Sequence, residues 1–205
     1  MIYVAAGTAR LTLVLMDEES RTVTERIRKE SGGTPAFDQL AATRDRDELA
    51  GVLTAPQQPL WARELAAYRL GIAGDHRAFE SLVLLLNHRD PERCAAAAQA
   101  LAVLGDPRTA RAAAALATNE LRVAYALHPV RLLTQLRAPE SAPALITTLR
   151  RRLAPHDPYR KVALACVEGL GSLADPRARD VLTEASTHPR LAMAASAALA
   201  RLPME

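Results

Sequence analysis

The chain has 205 residues, of which 49% are hydrophobic and only 3% aromatic. That is enough for a sizeable core, but one built from alanine and aliphatic side chains on closely packed helices, not from large rings. Its formal net charge of +3 is uneven: residues 1–60 carry 7 basic against 9 acidic side chains, and residues 61–205 carry 19 against 14. This mild basicity, with so few rings to stack bases, disfavours single-strand nucleic-acid recognition. Cys94 and Cys166, the only cysteines, fall in apolar runs and form no disulfide framework. No charge-free apolar stretch reaches membrane-spanning length, and residues 1–30 lack a basic segment leading into an apolar core. The expected setting is the cytoplasm, with no membrane partner.

Taken in chain order, Leu11, Leu13 and Leu15 alternate with Thr12, Val14 and Met16, and Asp17–Ser20 is polar and turn-like. Thr22–Ile27 alternates again, so residues 1–30 read as a β-hairpin. Ser31-Gly32-Gly33-Thr34-Pro35 is a linker; it lacks a lysine and is no phosphate loop. A helix is expected over Arg46–Thr54, and Ala55–Pro59 leads onward. Three parts follow: a hairpin appendage and linker over 1–34, a connecting segment with one helix over 35–59, and a repeat region over 60–205.

The repeat region carries one short phrase four times. It is Ala73-Gly74-Asp75-His76-Arg77, Leu104-Gly105-Asp106-Pro107-Arg108, Leu173-Ala174-Asp175-Pro176-Arg177, and a worn copy, Leu136-Arg137-Ala138-Pro139-Glu140. The successive spacings are 31 residues from Asp75 to Asp106, 32 from Asp106 to Ala138 and 37 from Ala138 to Asp175, which means stacked repeats. Each unit reads as helix A, tight turn, helix B. In the second unit Asp90-Pro91 caps and opens helix A, Ala97, Ala98, Leu101 and Leu104 share a face, and Gly105 ends it. Asp106-Pro107 then opens helix B, which runs to about Thr118. The same grammar gives units from Leu60 to Asn87, Glu120 to Leu153 and Pro158 to Thr187, then a half-unit from Pro189 to near Leu202. Aligned turns stack Leu70, Leu101, Leu133, Leu170 and Leu199 in one row, as a solenoid core requires. In the third unit Pro129 falls inside helix A and predicts a kink and a bend in the stack.

Ala100–Leu116 and Gly169–Leu182 resemble HEAT repeats of the short, alanine-rich, phycobilisome-lyase-like kind. The resemblance covers roughly residues 60–202 and implies an all-α fold: a right-handed α-solenoid of about 4.5 helix pairs. That superfamily spans scaffolds, regulatory subunits, lyases, hydroxylases and DNA glycosylases. Pro35–Asp38, Asp47–Leu49 and Arg63–Leu70 are similar to the junction between β-sandwich and helical solenoid in aminopeptidase-N-like zinc peptidases. That similarity implies a non-catalytic C-terminal module. No His is followed by Glu, so neither the peptidase zinc motif nor the paired His-Glu motifs of the hydroxylases are present.

No catalytic, metal or cofactor motif stands out. His88, His156 and His188 recur at equivalent turns, but neighbouring helices lie about 8–10 Å apart and equivalent side chains cannot share one metal; exposed turn histidines are expected. Trp61 reads as a packing residue. Arg77, Arg108 and Arg177, with Glu140 in the same slot, form either a ladder for an anionic ligand or ion pairs to capping aspartates of neighbouring units. Arg150-Arg151-Arg152 is either a basic patch, with Arg160 and Lys161 near it, or a complement to its helix's C-terminal dipole. The favoured function is non-catalytic: a scaffold or adaptor binding another protein through a concave B-helix surface at Arg77, Glu80, Arg108, Arg111, Arg150, Arg151, Arg152 and Arg179. Nucleic-acid binding, a detached aminopeptidase-type module and a ligand-handling lyase remain as alternatives.

Overall fold

The computed structural model describes residues 18–154 and 156–203, and every regular element among them is helical. The chain divides into two compact units, Met1–Ser81 and Leu82–Glu205.

The first unit begins with α1, helical over residues 18–30, then α2 (Pro35–Ala42), α3 (Arg46–Thr54) and α4 (Leu60–Ile72). Thr22–Ile27 is therefore helix, not the second strand of a hairpin; the first strand, Leu11–Met16, lies outside the described residues. The apolar side chains Val23 and Ile27 satisfy a spacing of four as readily as alternation. The tertiary contacts choose between them: Ser20, Val23, Thr24, Arg26, Ile27 and Ser31 are the sheltered positions, a helical and not an alternating pattern. Ile27 is fully buried, Arg26 pairs with the buried Glu64 of α4, and the Ser20 and Tyr68 hydroxyls lie 3.1 Å apart. Gly32 and Gly33, at φ 70° and 64°, stop the helix in the left-handed region that glycine enters without strain. The Arg46–Thr54 helix has the expected bounds, with the Asp45 carboxylate accepting from the amides of Asp47 and Glu48. Both α2 and α3 pack on α4. Trp61 is half-buried and its ring lies 6.1 Å from that of Phe37, a packing role.

The second unit, into which α5 (Phe79–Leu86) runs, contains α6 (Pro91–Leu104), α7 (Thr109–Ala117), α8 (Leu127–Leu136), α9 (Ser141–Arg152), α10 (Arg160–Leu173), α11 (Arg179–Ser186) and α12 (Ala192–Leu199). Two layers alternate along it. In one, α6 packs on α8, α8 on α10 and α10 on α12; in the other, α7 packs on α9 and α9 on α11. Leu101, Leu133 and Leu170 are fully buried, Leu199 is half-buried, and Leu70 is buried in the first unit. The α7 and α9 helices run parallel, because Thr148 Oγ1 donates to Ala117 O at 3.1 Å and Arg151 Nη1 to Thr118 O at 2.8 Å, tying their C-terminal ends. At Gly171 a Cβ would lie 2.8 Å from Ala198 Cα, so the missing side chain lets α10 and α12 approach closely.

Pro129 does not kink a helix interior. The expected third A helix is divided: a 3-10 turn spans Glu120–Tyr125, Arg122 inside it departs from helical dihedrals, and α8 starts only at Leu127. Pro129 thus occupies the first turn of α8, where its missing N–H costs no hydrogen bond. Cys94 and Cys166 are both buried, and burial pushes both thiols up. Among the described residues, no helix is long and apolar enough to cross a membrane.

Candidate functional site

The recurring phrase builds a closed turn. In each intact copy the Asp side chain accepts from the amide two residues on, and the Arg at that position folds back onto the same carboxylate. For Asp106, Oδ1 accepts from Arg108 N at 2.9 Å and Nε at 3.0 Å, and Oδ2 from Nη2 at 2.9 Å. Arg177 grips Asp175 with Nε at 2.9 Å and Nη2 at 2.6 Å, and Arg77 grips Asp75 in the same way. Each fork therefore closes on the aspartate of its own turn. Arg77 adds a bond to Asp47 at 2.7 Å within the first unit. A planar fork matched to a carboxylate explains why arginine stands there. Hydrogen bonds from Arg77 hold the Asp75 carboxyl down at about 2, and those from Arg177 lower Asp175 likewise.

The worn copy closes by other means. Ala138 offers no carboxylate, Glu140 makes no side-chain cap, and the fully buried Ser141 takes over. Its hydroxyl donates to Leu133 O at 2.6 Å and accepts from Ala138 N at 3.1 Å. Arg137, at φ 51°, reaches across to donate to Ser172 O at 3.1 Å. Neither residue stood out in the sequence, because serine near a helix start reads as an ordinary capping candidate.

The remaining basic side chains fall into two groups. Arg151 is held by Thr118 O and by Glu120 at 3.1 Å, Arg152 pairs with Asp157 at 3.0 Å, and Arg179 donates to Pro203 O at 2.6 Å. Arg111 and Arg150 are exposed, and neither has an ion-pair partner among the described residues. Arg108 and Arg111 belong to the N-terminal end of α7, whereas Arg150 belongs to the C-terminal end of α9. With the helices parallel, Arg111 and Arg150 lie about 12 Å apart along the axes, so they form two separate cationic spots and not one patch. Arg77 and Glu80 are exposed in the first unit.

The turn histidines differ from one another. His88 is half-buried and its Nδ1 accepts from Asp90 N at 3.0 Å, so it braces the start of α6. His156 is exposed at φ 63°, and His188 is half-buried. Burial, then the charge of Arg131, lowers the pKa of His128. Among the described residues, no three His, Cys, Asp or Glu side chains gather as a metal site would require. No protein-family model matches the chain, and no curated protein matches it.

Proposed function

We propose that the chain is a HEAT-like right-handed α-solenoid that binds another protein through its B-helix layer, as a scaffold or adaptor. The observation that supports this reading is the alternation of two layers in the second unit, α6-α8-α10-α12 and α7-α9-α11, each pair joined by a version of the same turn. Repeats of this kind contact their neighbours in sequence and leave a long continuous face for a partner. On the B layer, Arg111 and Arg150 are exposed and unpaired among the described residues. The B-layer arginines held in forks shape the turns and add little net charge to that face. The partner carries acidic side chains spaced to meet two separate cationic spots, not one dense patch.

The test is affinity capture from native lysate with mass spectrometry, comparing wild type with an Arg111→Glu/Arg150→Glu variant. Both side chains are exposed, so the variant keeps the wild-type melting curve. The specific partner is lost from the variant. Its full retention overturns the assignment of this face, and salt-sensitive binding to duplex DNA with no protein captured replaces the reading with the nucleic-acid one.

A further inference from the structure

His156 and His188 occupy equivalent turns of successive helix pairs, before Asp157-Pro158 and before Pro189. They are too far apart by the repeat geometry to share a metal, yet both line one cavity of about 470 Å³ in the second unit. That is the size of a small-molecule site. Arg160, at the start of α10, and Arg190, just before α12, line it too. Both guanidinium groups are exposed and have no ion-pair partner among the described residues.

The other lining groups have separate parts. Arg152 is committed to Asp157 at 3.0 Å, in a pair whose side chains are only 14% and 11% exposed, and its guanidinium lies 5.7 Å from the Tyr159 ring centroid. That pair is a fixed wall, not an available charge. His188 Nδ1 is shut off from water and makes no hydrogen bond. Leu153, Ala163 and Leu191 give the cavity an apolar side. Glu184 is the remaining carboxylate, and no cation among the described residues pairs with it.

The geometry points to a binding site for a small phosphate-bearing molecule, held by Arg160, Arg190 and the two imidazoles. A single arginine fork satisfies a monocarboxylate. Two uncommitted guanidinium groups with two imidazoles suit a dianion with three acceptor oxygens, which is a phosphomonoester. The apolar side receives the organic part of the ligand. Glu184 opposes the phosphate's charge and keeps affinity moderate. This site is independent of the B-layer reading and stands or falls separately.

Titration calorimetry of the full chain at constant ionic strength tests it, with inorganic phosphate and phenyl phosphate as probes. Both bind saturably, phenyl phosphate more tightly because its ring meets Leu153 and Leu191. An Arg160→Gln/Arg190→Gln variant loses roughly tenfold in affinity or more for both. Glu184→Gln tightens both, and Arg150→Gln changes neither. The imidazole signals of His156 and His188 shift when phenyl phosphate is added to the wild-type chain, a readout that needs no variant. Absence of saturable binding, silent histidine signals, or an equal loss in Arg150→Gln overturns the assignment. So does binding to phosphatidic-acid vesicles with none to phenyl phosphate.

Discussion

The turn after α6 and the turn after α8 occupy the same place in successive helix pairs and do the same work with different chemistry. In the first, Gly105 turns the chain at φ 65°, Asp106 accepts from the Arg108 amide, and the Arg108 side chain closes over it. In the second, Arg137 turns the chain at φ 51°, and the buried Ser141 hydroxyl joins Leu133 O to Ala138 N. One lock is ionic, a buried carboxylate under a half-exposed guanidinium; the other is neutral and wholly internal. Position 109, equivalent to 141, makes the contrast sharper. Thr109 is 1% exposed, and its hydroxyl has no partner, because Asp106 already closes that turn. The same site along the repeat is therefore a necessity in one turn and a surplus polar group in the other.

The largest expected effects come from exchanging those roles. Ser141→Ala leaves the Ala138 amide without its acceptor inside the protein and costs about 2 kcal/mol. Asp106→Ala removes a cap that the half-exposed Arg108 partly shields, and costs about 1 kcal/mol. Thr109→Ala loses a buried methyl but also a buried, unsatisfied hydroxyl, so its net change stays within about 1 kcal/mol of zero. Urea unfolding of the three variants measures the order. A Thr109→Ala loss as large as that of Ser141→Ala contradicts the division of labour between the turns.

Acid separates the two locks by a different route. The folded-state pKa of Asp75 is depressed from 3.8 to about 2, and that of Asp175 is lowered too, in both cases chiefly by the arginine fork. A depressed carboxyl contributes stability that is fully present above its unfolded pKa and is lost as pH falls through the folded value. Asp175→Asn keeps a capping side chain of the same shape but no charge, so it isolates the fork. The stability gap between wild type and Asp175→Asn is open at pH 5 and closes as the pH falls below 3.8 and through the lowered folded-state value. The gap between wild type and Ser141→Ala does not narrow with it, because the serine lock holds no titrating group. Parallel pH profiles for the two gaps contradict an ionic origin for the Asp175 fork.

The intact phrases were readable because each residue in them answers a local demand: Asp caps, Pro suits the first helical position, and Gly or a tolerated substitute turns left-handed. Asp90-Pro91, Gly105 and the Arg46–Thr54 helix show how far local rules reach. What could not be read locally depends on a partner distant in sequence. Thr22–Ile27 offers alternating side chains to a local eye, and only Glu64 and Tyr68, some forty residues on, select the helix. That the arginine forks close on the aspartates of their own turns was not legible, because spacing gives a pair of residue types but not which copies meet. Ser141 was missed because its acceptor, Leu133 O, precedes it by eight residues across a turn whose motif is worn. The cavity of His156 and His188 was also out of reach: excluding a shared metal says nothing about a shared ligand-sized space.

The smallest effect concerns the residue that turns the chain at each helix end. Gly74 and Gly105 hold φ 73° and 65°, while Arg137 and Ala174 hold 51° and 54° with a side chain attached. For an ordinary residue the left-handed conformation costs about 1–2 kcal/mol, and glycine returns about 0.5–1 of that through its freer unfolded chain. Ala174→Gly therefore stabilises the protein by about 0.5–1 kcal/mol, seen as a raised urea midpoint with an unchanged slope. Arg137→Gly is the informative contrast, because Arg137 also donates to Ser172 O, tying the worn turn to the end of α10. Its relief of strain is offset by that lost bond, so it gains less than Ala174→Gly. If the two variants gain equally, the Arg137 bond contributes nothing, and the worn turn rests on Ser141 alone.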